Sequence, residues 1–278
     1  FVAMKSLSLY FSPTGGGEKI AKAIQNGIDQ NDYDYQFSLN LNKRPVSAET
    51  GEIETLPVIF TIPVYGGHMP KVAMERLNTL RSECNQPAIL VAVYGNRAFE
   101  KALIDLEAFV RERGFNPIAA GAFPCEHSYS TDETPIAAGR PDNTDLKMAE
   151  EFGRLVREKI LHNDFSSVNT SDLQDEPSPE ASLKNFIKFV KAYQTQQATE
   201  PKIYIPLVDT EKCTECGECA DACPTAAIRE DFTTDATRCI KCCACVKICP
   251  AQARAFHTPF ARPLSENFSE RKSPCWIL

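Results

Sequence analysis

The sequence predicts an α/β domain with a doubly wound parallel five-stranded sheet, followed by a small α+β domain. Short apolar runs alternate with amphipathic stretches from Lys5 to about Leu161, as in a parallel sheet covered by helices. Nine of the 12 cysteines then crowd into residues 213–249, which indicates metal ligation rather than a disulfide framework. At 278 residues the chain is long enough for both domains.

Apolar runs predict the strands of the first domain. The third and fourth runs are almost continuously apolar, which is typical of central strands covered on both faces. The predicted strands are Leu7–Phe11, Tyr33–Leu39, Pro57–Val64, Ala88–Tyr94 and Phe115–Phe123. Helices are predicted between them, because apolar residues recur at helical spacing over Ile20–Ile28, Phe99–Val110 and Leu146–Ile160.

Composition also indicates the domain boundaries. Residues 163–179 are rich in Ser, Asp, Asn, Glu and Pro, which predicts a linker, and a helix with an apolar face over Leu183–Tyr193 follows. We therefore expect a first domain at 4–162, a linker and bridging helix at 163–202, a cysteine-rich domain at 203–258 and a tail at 259–278. The tail ends in apolar residues and is expected to dock on the protein surface.

Charge and hydropathy narrow the class of protein. The formal net charge of -7 argues against a nucleic-acid binder, which would carry a basic stripe. No apolar run reaches the length of about eighteen residues that a membrane span needs. The first residues, Phe1 to Met4, lack the features of a signal peptide, and the unpaired cysteines suit a reducing compartment. We therefore expect a cytoplasmic protein.

The crowded cysteines form two copies of one motif, C-x2-C-x2-C-x3-C-P, and each ligand recurs 26 positions later. This spacing is the bacterial 4Fe–4S pattern, in which the fourth cysteine ligates the other cluster. Two 4Fe–4S clusters are expected, one on Cys213, Cys216, Cys219 and Cys249 and one on Cys239, Cys242, Cys245 and Cys223. Zinc ribbons would leave the middle cysteines and both prolines unexplained. The tract resembles the two-cluster ferredoxins of bacteria along its whole length.

The two copies differ in charge and in one extra cysteine. Cys243 interrupts a spacing that its neighbours already satisfy, so we interpret it as a buried spare thiol. The first loop has five acidic residues against Lys212, whereas the second has Arg238, Lys241 and Lys247 and no acid. Positive surroundings stabilise the reduced state, so we hypothesise that the cluster of the 239–249 loop has the higher reduction potential. The alternative is that both sets of charges are solvated and nearly cancel.

A glycine-rich loop follows the first predicted strand and leads directly into a helix. Its residues are Ser12, Pro13, Thr14, Gly15, Gly16 and Gly17, and its backbone N–H groups and hydroxyls suit a phosphate. A Walker A loop is excluded because Glu18 follows Gly17, and a dinucleotide fingerprint lacks its acidic residue. The loop resembles the flavodoxin phosphate loop, Ser/Thr-x-Thr-Gly-x-Thr, with glycine in place of the last threonine. This resemblance implies FMN and a sheet of order 2-1-3-4-5.

Two further loops follow predicted strands at the same edge of the sheet. Tyr65, Gly66 and Gly67 follow the third strand, and Tyr94, Gly95, Asn96, Arg97 and Phe99 follow the fourth. Each loop offers an aromatic ring, glycine and polar groups, which an isoalloxazine ring needs for stacking and hydrogen bonding. Each alone also suits an ordinary glycine turn. Taken with the phosphate loop, they predict an FMN site at the carboxyl ends of the strands.

The whole chain resembles a family of flavodoxin–ferredoxin fusions, the EFR-type iron–sulfur flavoproteins of anaerobic microbes, in which a tract like Val93–Phe99 recurs. The resemblance implies a protein that passes electrons between two 4Fe–4S clusters and FMN, and on to a redox partner. It also covers His127, which is either a flavin contact or a structural residue. Two alternatives are an NAD(P)H-dependent oxidoreductase that reduces a small molecule such as a quinone, and a structural or sensing protein that has lost FMN.

Overall fold

A computed structural model describes residues 4–30, 37–46 and 56–278, which divide into two compact units. The first unit consists of Phe1–Glu126, Gly139–Glu176 and Lys272–Leu278, so far as these residues are described. The second consists of His127–Ala138 and Pro177–Arg271. The chain therefore passes from one unit to the other four times. None of the helices in the described ranges combines the length and apolar character that a membrane span needs.

The first unit contains a six-stranded sheet. Its strands are β1 Leu7–Tyr10, β2 Phe37–Asn40, β3 Val58–Pro63, β4 Pro87–Tyr94, β5 Asn116–Pro124 and β8 Cys275–Ile277. They lie in the order β2-β1-β3-β4-β5-β8. Strands β1 to β5 pair in parallel, which confirms the predicted fold class and the order 2-1-3-4-5. The part of the predicted second strand at 33–36 lies outside the described residues.

Strand β8 is the sixth member of the sheet and pairs antiparallel with β5. Trp276 places its ring 6.4 Å from that of Phe123 and 5.6 Å from that of Phe152, measured between centroids. The strand at the end of the tail is therefore held by pairing with the sheet edge and by aromatic packing, while Leu278 is exposed. A strand of three residues is too short to show the alternation by which strands are recognised in a sequence.

The helices of the first unit are α1 Gly16–Asp29, α2 Lys71–Arg76, α3 Ala102–Glu112 and α4 Asn143–Leu161. The apolar stripes predicted for α1 and α4 are buried against the central strands, with Ile24 and Phe152 fully enclosed. Helices α1 and α4 approach closely where Gly27 meets Gly153, since a Cβ on either would overlap the backbone of the other helix. Helix α4 begins at a capping box formed by Asp142 and Asp145, which satisfies its first N–H groups.

The second unit is built on a two-stranded antiparallel sheet, β6 Leu207–Val208 with β7 Arg254–Ala255. Its helices are α5 Glu180–Thr199, α6 Glu218–Ala222, α7 Ala244–Ile248 and α8 Ala261–Asn267. Helix α5 packs through aromatic rings against the residues that flank α8, with 5.2 Å between the centroids of Phe186 and Phe268, which directly follows α8. Ile136, from the segment His127–Ala138, packs in the same apolar cluster.

Candidate functional site

The two cysteine motifs have the same backbone conformation, offset by 26 residues. Helices α6 and α7 begin and end at equivalent positions. Left-handed residues also recur in pairs: Glu215 and Lys241, Gly217 and Cys243, and Ala226 and Gln252. The amide of Asp209 donates to the carbonyl of Ala253, and the amide of Asp235 donates to that of Ala227, both at 2.7 Å. Each motif is thereby hydrogen-bonded to the segment that follows the other, so the halves interlock.

This interlocking arranges the cysteines around two cavities, both partly open to solvent. The first cavity is lined by Cys213, Cys216, Cys219 and Cys249. The second cavity is lined by Cys223, Cys239, Cys242 and Cys245, and also by Cys243. Each cavity combines three cysteines of one motif with the fourth of the other. The donor sets brought together are the two that the sequence assigns.

The sulfur atoms also have the surroundings that cluster ligands need. The amide of Ala227 donates to Cys223 Sγ at 3.2 Å, and the equivalent amide of Ala253 donates to Cys249 Sγ at 3.3 Å. Such N–H···S bonds stabilise negative charge on sulfur. Burial raises the pKa of Cys242 to about 12, so this thiol needs a positively charged group bound to it to become a thiolate near neutral pH. Bound iron would supply such a charge, so the chemistry of both cysteine sets is compatible with iron–sulfur ligation.

Cys243 stands where the first motif has Gly217. Both residues precede a short helix and have positive φ, 82° at Gly217 and 59° at Cys243. Cys243 is buried, as expected, and its Sγ lies 3.7 Å from the carbonyl oxygen of Lys241. Four other cysteines complete the set around the second cavity without it. Glycine adopts this left-handed backbone without steric cost, which accounts for Gly217 in the first motif. Cys243 has a side chain at the same position, so its backbone is strained.

The glycine-rich loop of the first unit presents unused donors at the start of α1. Gly15 precedes the helix with φ 90°, and Ser12 Oγ accepts a hydrogen bond from the Glu18 amide at 3.0 Å. In the described part of the chain, the amides of Thr14, Gly16 and Gly17 have no hydrogen-bond partner. Free N–H groups at the N-terminus of a 14-residue helix suit a phosphate group.

Gly17 is enclosed on the side where a side chain would project. A Cβ at this position would lie 3.2 Å from both Ser12 Oγ and Val93 Cγ2, which is tighter than an ordinary contact. A threonine here would therefore require Ser12 or Val93 to move. Glycine at this position allows the loop to pack closely against β4, so the departure from the flavodoxin pattern has a local structural cause.

Asn42 holds the glycine-rich loop from the neighbouring strand end and was not recognised in the sequence. Its Oδ1 accepts from the Ser12 amide at 2.7 Å, and its Nδ2 donates to the Ser12 carbonyl at 3.0 Å. The two bonds therefore hold both the N–H and the carbonyl group of Ser12 in place. The only signal available was an asparagine just beyond a predicted strand, and asparagine is common in such loops.

The loop after β3 is a tight two-residue turn. Tyr65 and His68 exchange two backbone hydrogen bonds of 3.0 and 3.1 Å, and Gly66 and Gly67 between them both have positive φ. Such a turn strongly favours glycine at both central positions. Tyr65 is half-buried, whereas Gly66 is exposed and has open space around its Cα. Gly67 is buried against Glu100, so this turn leaves part of Tyr65 and the backbone of Gly66 accessible.

The loop after β4 is arranged differently from the sequence expectation. The rings of Tyr94 and Phe99 are buried and pack edge to face on each other, with centroids 5.6 Å apart. Burial raises the pKa of Tyr94 far above its usual value. The two rings therefore pack inside the unit beneath the loop, and neither presents an exposed face on which a ligand could stack. Asn96 is also buried, so Gly95, Arg97 and Ala98 are the half-buried residues at the surface of this loop.

Two residues from distant parts of the chain clamp this loop. Asp175 accepts from the amides of Phe99 and Glu100, at 2.7 and 3.0 Å. The amide of Lys272 donates to Asn96 Oδ1 at 3.3 Å, and its Nζ donates to the Arg97 carbonyl at 2.5 Å. Both clamp residues lie in segments that the sequence marks only as linker and tail. Contacts over such separations leave no local pattern that sequence reasoning could use.

His127 and Arg140 make structural contacts in their respective units. His127 Nδ1 accepts from the Tyr129 amide at 3.0 Å, and its ring packs on Tyr129 with centroids 4.7 Å apart. Arg140 is buried and pairs with Asp145 through two hydrogen bonds, of 2.7 and 3.0 Å. These contacts favour the structural interpretation of His127 over a flavin contact.

Comparison with known proteins gives one match to a family and several similar structures. Residues 206–229 match the 4Fe-4S binding domain family. No curated protein matches the chain. A flavodiiron core from Synechocystis sp. PCC6803 is 22% identical with a TM-score of 0.43, covering 58% of this chain and 37% of its own. An archaeal flavodoxin is 18% identical with a TM-score of 0.39, covering 57% of this chain and 100% of its own. This chain thus spans only about a third of the flavodiiron core.

Proposed function

We propose that this protein is an electron carrier that holds two 4Fe–4S clusters and FMN, and that it passes electrons between them and on to a redox partner. When bound, the clusters exchange single electrons and FMN exchanges one or two. The single observation that carries the proposal is the division of eight cysteines into two cavities, each drawing three cysteines from one motif and the fourth from the other.

The cluster half of the proposal rests on the second unit. Cys213, Cys216 and Cys219 with Cys249 would hold one cluster, and the equivalent cysteines of the other motif with Cys223 would hold the second. The match of residues 206–229 to a 4Fe-4S binding domain supports cluster binding by the first motif. The matching backbone conformation supports a second site of the same kind.

The FMN half rests on the first unit. Ser12, Thr14, Gly15, Gly16 and Gly17 would hold the phosphate through backbone N–H groups and hydroxyls. Tyr65 with Gly66, and the surface of the loop Tyr94–Phe99 at Gly95 and Arg97, would border the ring. These loops follow β1, β3 and β4, and β1 and β3 flank the switch in strand order where such sheets bind their ligands.

Rapid mixing under anaerobic conditions tests the proposed transfer. The purified protein is mixed with a reduced low-potential one-electron donor, and the absorbance of clusters and flavin is followed separately. We expect flavin reduction to slow in Cys216→Ala, which removes a ligand of the first cluster, and to keep its rate in Cys84→Ala, which changes an exposed cysteine outside both motifs. An unchanged rate in Cys216→Ala would contradict the proposal. Steady turnover with NADH and a quinone would favour the oxidoreductase alternative instead.

A further inference from the structure

Arg254 carries a buried positive charge beside the cysteines. It opens β7, is only 4% exposed and lines the first cavity with Cys213, Cys216, Cys219 and Cys249. Its Nη1 donates to the Phe232 carbonyl at 2.6 Å and its Nη2 to Thr234 Oγ1 at 2.5 Å. Both acceptors are neutral, and no carboxylate pairs with Arg254 in the described ranges. A buried guanidinium without an anionic partner is costly, so its surroundings are expected to supply negative charge.

The guanidinium also reaches the lining of the second cavity. Thr234, whose Oγ1 accepts from Arg254 Nη2, lines that cavity together with Cys223, Cys239, Cys242 and Cys245. Arg254 also hydrogen-bonds the side chain of Cys245, a member of the second set. The same side chain is therefore close to both cysteine sets.

Arg254 is not part of the duplicated scaffold. The position 26 residues earlier is Ile228, which lines the second cavity and carries no charge. The repeat thus supplies two similar cavities but one buried cation. The exposed charges of the two loops face water, where salt screens them, whereas a buried charge acts through a medium of low polarity.

We propose that Arg254 is a shared electrostatic residue that raises the reduction potential of both 4Fe–4S clusters. The inference rests on the proposed function, because it requires both clusters to be bound. Reduction adds one negative charge to a cluster, and a fixed positive charge nearby stabilises that added charge. One side chain would in this way set the potentials of both sites together.

The test is a redox titration of each cluster, followed by electron paramagnetic resonance, in Arg254→Gln, Arg254→Lys and the native protein. In Arg254→Gln we expect the reduction equilibrium of both clusters to fall at least tenfold, or about 59 mV for one electron. Arg254→Lys keeps the charge and should restore most of the shift. The matched control is Arg238→Gln, which removes an exposed charge from the second loop and should shift either cluster much less.

Iron and sulfide contents are measured first in every preparation. Native protein without two clusters would refute the proposed function, whereas two clusters with unchanged potentials in Arg254→Gln would overturn only this inference. An equal shift in Arg238→Gln would also overturn it. If Arg254→Gln does not assemble its clusters, native protein labelled with ¹⁵N in the arginine guanidinium groups replaces it. Magnetic coupling of that nitrogen to both reduced clusters supports the inference, and coupling to neither overturns it.

Discussion

The two halves of the cysteine repeat share a backbone but differ in the side chains that surround their sulfur atoms. The first cavity includes an exposed cysteine, Cys216, whereas Cys242 and Cys245 of the second are both buried. Five exposed acidic residues surround the first loop and three exposed basic residues the second. The comparison shows that duplication fixes how the eight cysteines are grouped, while the residues outside the duplicated pattern make the two cavities differ.

Burial and exposed charge act in opposite directions on the second site. The exposed cations favour a higher reduction potential there, as hypothesised from the sequence. The deeper burial of Cys242 and Cys245 disfavours added negative charge and so favours a lower potential. The hypothesis that the second cluster has the higher potential stays a prediction, and measuring both potentials decides which effect is larger.

The largest expected effect comes from replacing the fourth cysteine of either motif with alanine. Cys249→Ala should remove the same cluster as Cys216→Ala, and Cys223→Ala the same cluster as Cys242→Ala, because each cavity takes its fourth cysteine from the other motif. Each variant is expected to lose about half of its iron. Electron paramagnetic resonance identifies the cluster that remains. Loss of the second cluster in Cys249→Ala would show that the ligands are not crossed.

A second prediction concerns Ser12, in the glycine-rich loop of the first unit. In that loop Gly15, like Gly217 in the first cysteine motif, precedes a helix with positive φ. Ser12→Ala removes the hydroxyl that accepts from the Glu18 amide, so the free energy of unfolding should fall by about 1 kcal/mol. FMN affinity should fall roughly tenfold through loss of the hydroxyl donor. Chemical denaturation and flavin titration measure these changes, with the exposed Ser38→Ala as control. Equal FMN affinity in both variants would show that the Ser12 hydroxyl does not contribute to FMN binding.

A third prediction concerns Gly217 and Cys243, which precede α6 and α7 at equivalent positions but differ in side chain. Gly217→Ala forces a side chain into φ 82° and should lower the free energy of unfolding by about 1 kcal/mol. Cys243→Gly relieves the same strain and should keep both clusters, with a change in stability below about 1 kcal/mol. Iron analysis and chemical denaturation provide the measurements. Loss of the second cluster in Cys243→Gly would mean that this thiol is a ligand.

The smallest expected effect is the dependence of the potentials on salt. Added salt screens the exposed charges of both loops, so it should raise the potential of the first cluster and lower that of the second. Each shift is expected to be on the order of a few tens of millivolts at most, since exposed pairs interact weakly. Redox titrations at low and high ionic strength measure this. Shifts of the same sign in both clusters would show that the loop charges do not distinguish the sites.

Sequence reasoning recovered what depends on local pattern. The parallel strands, their order and the positions of the three loops follow from apolar runs and from motifs of a few residues. It missed Asn42, Asp175, Lys272 and β8, because these act through contacts with residues far away in the chain. It also assigned Tyr94 and Phe99 by residue type, while the structure turns both rings into the interior. Residue type alone does not indicate which way a side chain points.

The content of anaerobically purified protein tests the central claim most directly. Iron, acid-labile sulfide and released flavin are measured per chain in the same preparation. The account predicts about eight iron atoms, about eight sulfides and about one FMN. Iron and sulfide near half of those values, or a full complement of iron with no flavin after reconstitution with FMN, would contradict it.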